Sequence, residues 1–292
     1  MIDETLHSFS KEHQLSFENV LVEYVKETIL ITLLERGYGN YLWLKNKGAF
    51  SLQGIQGRVD RSLKLVYKED ERVLKSDGFV PGTAFDEDFL KDFFEYELQT
   101  IPELKIRNPE YTKNSITFDA YYKEMYVPFL LEINELREQN LTAQSAMIEF
   151  PISNGRYEVL TYPIEQEVAS HVADICRDLE LINEMEHYLE VFKLCSENSL
   201  EGVRLQNAIR QELGLRNLDY ARDDLKHVLE FRDYTYMKKK WKVMLRRQKL
   251  ANISWEDVID LFDKVLSPIW SAGKQDLVFF GDWMPEIARY LD

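Results

Sequence analysis

LKNKGAFSLQGIQGRVDRSLKLV, residues 44–66, is the stretch on which the fold of this chain turns. A helix-prone segment runs into it. It carries three of the twelve glycines, Gly48, Gly54 and Gly57, and it closes on LKLVY, a short β-prone run. Helix, glycine-bearing loop and strand is a common way to build an anion site, because backbone N–H groups in such a loop can face the ligand. The stretch has the layout of a nucleotide site but lacks the acids that normally accompany one.

On its N-terminal side, residues 16–35 predict a helix. Phe17, Val20, Leu21, Tyr24, Val25 and Thr28 fall on one face at i, i+3, i+4 spacing, and Gly37 supplies a stop. On the C-terminal side, an acid-rich run leads to the turn signal Pro81-Gly82. Residues 86–99 predict a second helix with Asp86, Glu87 and Asp88 in its first turn, and Pro102 and Pro109 break the chain beyond it. Residues 115–122, 127–136 and 144–152 alternate or run apolar as strands do, and Asn154-Gly155 turns the chain into RYEVLTY, a last strand candidate. From Ile164 the texture becomes helical, with helices expected over 165–195, 200–213, 219–250 and 254–266 and a short one after Pro285. Ser254 with Asp257 resembles a capping box. The expectation is an α+β protein, with a mixed sheet and flanking helices over 1–160 and an all-helical bundle over 161–292.

Composition narrows the class. The chain has 292 residues, 45% apolar and 30% charged, enough to bury a core in two ordinary domains. Cys176 and Cys195 form no C-x-x-C pattern, which suits reduced, buried thiols in the cytoplasm. The acidic, polar start is not a secretory signal, and the longest apolar run, residues 29–34, is too short to span a bilayer. A net charge of −15 argues against general DNA binding. One segment opposes that balance: between Arg232 and Lys249 there are eight basic residues and one acid, leaving −22 for the rest.

In this order the chain resembles the AbiEii/AbiGii toxin-like nucleotidyltransferase family over roughly residues 15 to 266. In that family a helix leads to an L-K-G-G-T-A-L loop and then to an R-x-S-x-D-x-D-L strand, whose two aspartates hold magnesium against the nucleotide phosphates. LKNKGAF stands at the loop, with Asn46 and Lys47 in place of the two glycines. RVDRSLKL stands at the strand. Arg58 and Leu65 match, while Ser62 and Lys64 occupy the two aspartate positions. Serine is a weak neutral ligand and an ammonium repels a cation, so an ordinary two-metal site cannot be built from this strand. The likeness continues through VPFLLEINEL, where Glu132 would be the strand's acid, sharing a face with Leu130 and Asn134. It reaches a helix where His171 replaces a nucleotide-contacting lysine and another where His187 and Glu190 stand at two acid positions.

The resemblance implies a nucleotidyltransferase-like fold and candidate catalytic residues Glu132, His187 and Glu190. Its candidate nucleotide contacts are Lys47, Gly48, Arg58, Ser62, Lys64 and His171. Magnesium is implied only for an active enzyme, and the setting would be bacterial toxin–antitoxin or phage defence, with a nucleoside triphosphate, RNA or an antitoxin-like protein as partner. Each candidate has a plainer reading: Glu132 as a solvent-facing strand residue, the histidines as helix-surface or core-edge residues. Asp86-Glu87-Asp88, the one D-x-D of the chain, reads equally as first-turn acids favoured by the helix dipole. Apart from the resemblance, Lys238, Lys242, Arg246 and Lys249 recur at helical spacing, and with Lys239 and Arg247 they offer an anion- or partner-binding side. The plainer reading is pairing with the chain's own acids. Three functions remain open: a divergent enzyme, a metal-free nucleotide-binding protein, and an interaction module using residues 232–249.

Overall fold

The computed structural model describes residues 2–45, 50, 60–68, 85–101, 104–136, 141–248, 250 and 253–291. The protein is α+β, and it divides into two compact units, Met1–Tyr162 and Pro163–Asp292.

The N-terminal unit begins with α1 (Ile2–Glu12) and α2 (Phe17–Glu35). Ser16 caps α2, its side chain accepting from the Asn19 N–H. The one-faced pattern expected for α2 is only half the picture, because the helix is buried nearly all round. Val20, Leu21, Val25 and Ile29 reach the core, but so do Glu23, Lys26 and Glu27. Those charges are accommodated by partners. Lys26 Nζ lies 2.7 Å from Glu23 Oε2, and the Glu27 carboxylate accepts from the N–H groups of Ile152 (3.0 Å) and Ser153 (2.8 Å).

The sheet of this unit has seven strands: β1 (Leu42–Leu44), β2 (Ser62–Tyr67), β3 (Lys105–Tyr111), β4 (Ser115–Tyr122), β5 (Met125–Glu135), β6 (Gln144–Phe150) and β7 (Gly155–Thr161). They form one mixed sheet in the order β3-β4-β5-β2-β1-β7-β6, parallel at β2–β5 and β1–β7. Strands β1 and β3 escape the sequence reading. Three residues are too few to show a period, and Pro109 reads as a breaker although an edge strand tolerates it. α3 (Glu87–Tyr96) starts at Asp86, whose Oδ1 accepts from the Asp88 and Phe89 N–H groups at 3.1 Å each. The aspartate of the D-x-D is thus an N-cap. One face of the sheet buries Leu63, Leu65, Leu131 and Ile133 in the main core, and Val66 joins Trp43 and Tyr162 in a smaller cluster.

In the C-terminal unit the expected long helices are divided. Residues 165–195 become α4 (Ile164–Asp178) and α5 (Glu186–Glu197), separated at Leu179, whose φ is +48°. After β8 (Leu200–Glu201) comes α6 (Gly202–Leu215). Residues 219–250 become α7 (Asp224–Glu230) and α8 (Thr235–Gln248). At that break the Phe231 carbonyl accepts from the Trp255 indole N–H at 2.8 Å. α9 (Trp255–Lys274), capped by Ser254, runs through Pro268 instead of stopping before it. Pro268 removes one helical hydrogen bond, while Val265, Leu266, Ile269 and Trp270 stay buried on both sides of it. The short helix expected after Pro285 is a single 3-10 turn (Pro285–Ile287), and it joins β9 (Asp282–Met284) to β10 (Arg289–Leu291), which form a three-stranded sheet with β8. The close approach this requires explains Gly202, where a Cβ would meet the Gly281 carbonyl oxygen at 2.0 Å. Cys176 and Cys195 are free and buried, and burial pushes the Cys195 thiol up to about 12. Among the described residues no helix is long and apolar enough to cross a membrane.

Candidate functional site

The parallel pairing of β2 with β5 sets the site. Its register aligns Ser62 with Leu130, Lys64 with Glu132 and Val66 with Asn134. Residues aligned across neighbouring strands project to the same side, and the side-chain period is two. Ser62, Lys64 and Glu132 therefore share one face, opposite the one that buries Leu63, Leu65, Leu131 and Ile133.

β1 adds a residue that motif reading passes over. It pairs antiparallel with β2, aligning Trp43 with Val66, and the ladder continues as the Lys45 N–H donates to the Lys64 carbonyl at 3.0 Å. Lys45 thus stands beside Lys64 on the same face as Trp43. Its ammonium lies 4.9 Å from the centre of the Tyr162 ring, an attractive cation–π contact that fixes its direction. The result is a row across three strands: Lys45, Lys64, Glu132.

Neighbours orient this row. The Glu132 carboxylate accepts from Asn134 Nδ2 at 2.6 Å, and Asn134 in turn accepts from the Asn114 side chain. Ser62, almost fully buried, donates its hydroxyl to Asp60 Oδ1 at 2.8 Å. Asp60 precedes Ser62 by two residues, so the period-two alternation places it on this side too. Arg61 pairs with Glu18 of α2. Lys64 is exposed, and among the described residues it makes no ion pair. Two lysines on neighbouring strands, with Glu132 aligned beside Lys64, offer cations to a polyanion and an acceptor to a hydroxyl. They do not suit magnesium, because Ser62 is a weak donor and Lys64 repels a cation. Among the described residues no three acidic, histidine or cysteine side chains converge as a metal site. Lys47, Gly48 and Arg58 lie outside the described residues.

The histidines fall in the C-terminal unit. His171 on α4 and His187 on α5 meet with their Nδ1 atoms 2.8 Å apart, and Glu184 Oε2 lies 3.4 Å from His187 Nε2. Glu190, one turn beyond His187, lies 3.7 Å from Lys193 instead. Nearby, Arg216 joins α4 to α6. Its Nε reaches Asp174 at 2.8 Å and its Nη1 reaches Glu212 at 2.5 Å, and Glu212 also accepts from Gln166 at 2.5 Å.

On α8 the expected basic side is divided. Lys238 pairs with Glu256 at 2.6 Å and Lys240 donates to the Ile182 carbonyl. Arg232, preceding the helix, holds Asp260 through two hydrogen bonds of 2.6 and 3.0 Å. Lys239, Lys242, Arg246 and Arg247 are exposed, and Lys249 lies outside the described residues.

No family model and no curated protein matches the chain. Among solved structures it is similar to JHP933 from Helicobacter pylori, at 11% identity and TM-score 0.48, over 90% of this chain and 96% of that one. It is similar to a candidate nucleotidyltransferase from H. pylori at 14% identity and TM-score 0.48, over 90% and 97% of the two chains. It is also similar to an antigenic nucleotidyltransferase-like protein from Paracoccidioides brasiliensis at 10% identity and TM-score 0.40, over 78% and 88%.

Proposed function

We propose that this is a nucleotidyltransferase-like protein that binds the phosphates of a nucleoside triphosphate with its own cations in place of magnesium. The row Lys45–Lys64–Glu132 carries the reading. Lys64 occupies the position that the resemblance gives to a metal-binding aspartate. An ammonium there does part of the electrostatic work of the metal it displaces, and Lys45 doubles the charge. Glu132, held by Asn134, stands where it can accept a hydrogen bond from a ribose or acceptor hydroxyl. With Ser62 and Lys64 at the two positions where the resemblance expects metal-binding aspartates, binding is the function we read from this face. A toxin–antitoxin or phage-defence role, with RNA or an antitoxin-like protein as partner, belongs to the same reading through the resemblance alone.

Titration of the protein with a nucleoside triphosphate in chelator and in magnesium tests it. Equal binding in both, strongly weakened in Lys64→Asp, is the expected result. Binding that requires magnesium would restore the enzymatic reading, in which Glu132, His187 and Glu190 are the catalytic candidates.

One observation favours a second surface. Lys239, Lys242 and Arg246 are exposed on one side of α8 while Lys238 and Lys240 are engaged by the protein itself. The exposed three fit RNA phosphates or an acidic partner. Reversal of their charge should abolish RNA retention on a filter and leave nucleotide binding unchanged.

A further inference from the structure

The two edges of the seven-stranded sheet are built differently. The β3 edge is defended. Its register shifts between Arg107 and Glu110, Asn108 has a φ of +54°, and Pro109 has no N–H to offer. Bulges, charges and proline are the usual devices that keep an edge from pairing with another strand. The β6 edge has neither bulge nor proline. It pairs with β7 without interruption over all seven residues, contains no proline, and carries Glu149 as its one charged side chain.

A groove of about 810 Å³ lies against this strand, touching every residue from Ala146 to Pro151. Alternate side chains of a strand point to opposite faces. The groove also takes in Asn154, Gly155 and Arg156, so it wraps the turn end of the β6–β7 hairpin, and β6 itself is the last strand in the sheet order. Phe9 of α1 and His13, just beyond its end, form part of its wall. Met147, at the midpoint of β6, is 59% exposed, and among the described residues no strand pairs with the outer side of β6.

We propose that the β6 edge is a homodimer interface, in which a second copy of this chain adds its own β6 antiparallel across a twofold axis at Met147. The sequence of β6 suits pairing with itself in that register. Ala146 falls opposite Ile148, which continues the apolar face from one copy into the other. Met147 meets Met147 on the exposed face. Glu149 falls opposite Ser145, a hydroxyl, so the single acid of the strand never faces its own copy. Moving the axis to Glu149 would set two carboxylates against each other, a destabilising arrangement. An isologous contact of this kind closes on itself and leaves no edge for a third copy.

Sedimentation equilibrium on the intact chain tests the proposal, joined to cysteine cross-linking. Both native cysteines are buried, so Met147→Cys introduces the one accessible thiol among the described positions. Opposed residues across antiparallel strands lie about 4.5–5.5 Å apart at Cα, within disulfide reach. The expected result is a dimer that tightens with salt, as repulsion between two copies of net charge −15 is screened. Met147→Cys should give a covalent dimer on mild oxidation while Ser145→Cys does not, and Met147→Lys should be a folded monomer with an unchanged far-UV circular dichroism spectrum. A chain that stays monomeric up to about 1 mM overturns the proposal. So does a dimer that survives Met147→Lys and cross-links no better through position 147 than through 145.

Discussion

Arg216 in the C-terminal unit and Lys64 in the N-terminal unit are both cations set near acids, and the protein treats them in opposite ways. Arg216 is mostly buried and has its charge spent on Asp174 and Glu212. Burial alone would lower its pKa, but those two carboxylates hold it above the usual arginine value. Lys64 has a carboxylate aligned beside it on the next strand, yet it points to solvent next to a second lysine. A cation consumed by internal acids holds a structure together. One left exposed beside a second lysine is available to an incoming anion, which is why the sheet face reads as a binding surface.

The largest effect should come from breaking the engaged side of this comparison. Arg216→Ala leaves Glu212 and Asp174 without their partner. Removing one member of a buried pair costs about 3 kcal/mol, so denaturant unfolding of the C-terminal unit should shift by that amount with nucleotide binding preserved. On the unengaged side, Lys64→Asp should weaken nucleotide binding by about 2 kcal/mol, roughly thirtyfold in Kd, with little change in stability. Replacing both positions, Ser62→Asp with Lys64→Asp, should make the remaining binding depend on magnesium, since two carboxylates then share the face with Glu132.

Glu27 offers a smaller test of how the N-terminal unit handles internal charge. Burial pushes its carboxyl up to about 7 from an ordinary value of 4.5, against the two backbone N–H groups that favour its ionised form. A raised carboxyl means the folded state prefers the proton. The stabilisation is complete below about 4.5 and is lost as the pH rises through 7. Thermal melts should show the unit weakening across that window by on the order of 3 kcal/mol, and Glu27→Gln should flatten the dependence. The smallest effect is expected on α8. Charge reversal at Lys239, Lys242 and Arg246 should leave nucleotide affinity unchanged, and a drop there would merge two surfaces that lie in different units.

The parts of the fold legible in the sequence are those where a period repeats often enough to be seen. Residues 115–122 alternate over a full strand, and Ser254 with Asp257 announces its helix by capping chemistry. The illegible parts depend on neighbours. β1 is too short for any pattern, and β3 is permitted its proline only because it lies at an edge. The break at Leu179 comes without a glycine or proline, whereas α9 ignores Pro268 because its apolar residues stay buried on both sides. The site shows the same division. Period two puts Leu130, Glu132 and Asn134 on one face without any structure. That Lys64 lies beside Glu132, and Lys45 beside Lys64, comes from strand pairing between segments far apart in the chain, which no local spacing contains. The meeting of His171 and His187 likewise results from the packing of α4 on α5.

The central claim is that the cations of the sheet face, and not magnesium, receive the nucleotide phosphates. Isothermal titration of the intact protein with a nucleoside triphosphate, once in chelator and once in millimolar magnesium, tests it most directly. The account predicts the same affinity in both and a Kd roughly thirtyfold weaker in Lys64→Asp. Binding that appears only with magnesium, or that survives Lys64→Asp unchanged, would contradict it.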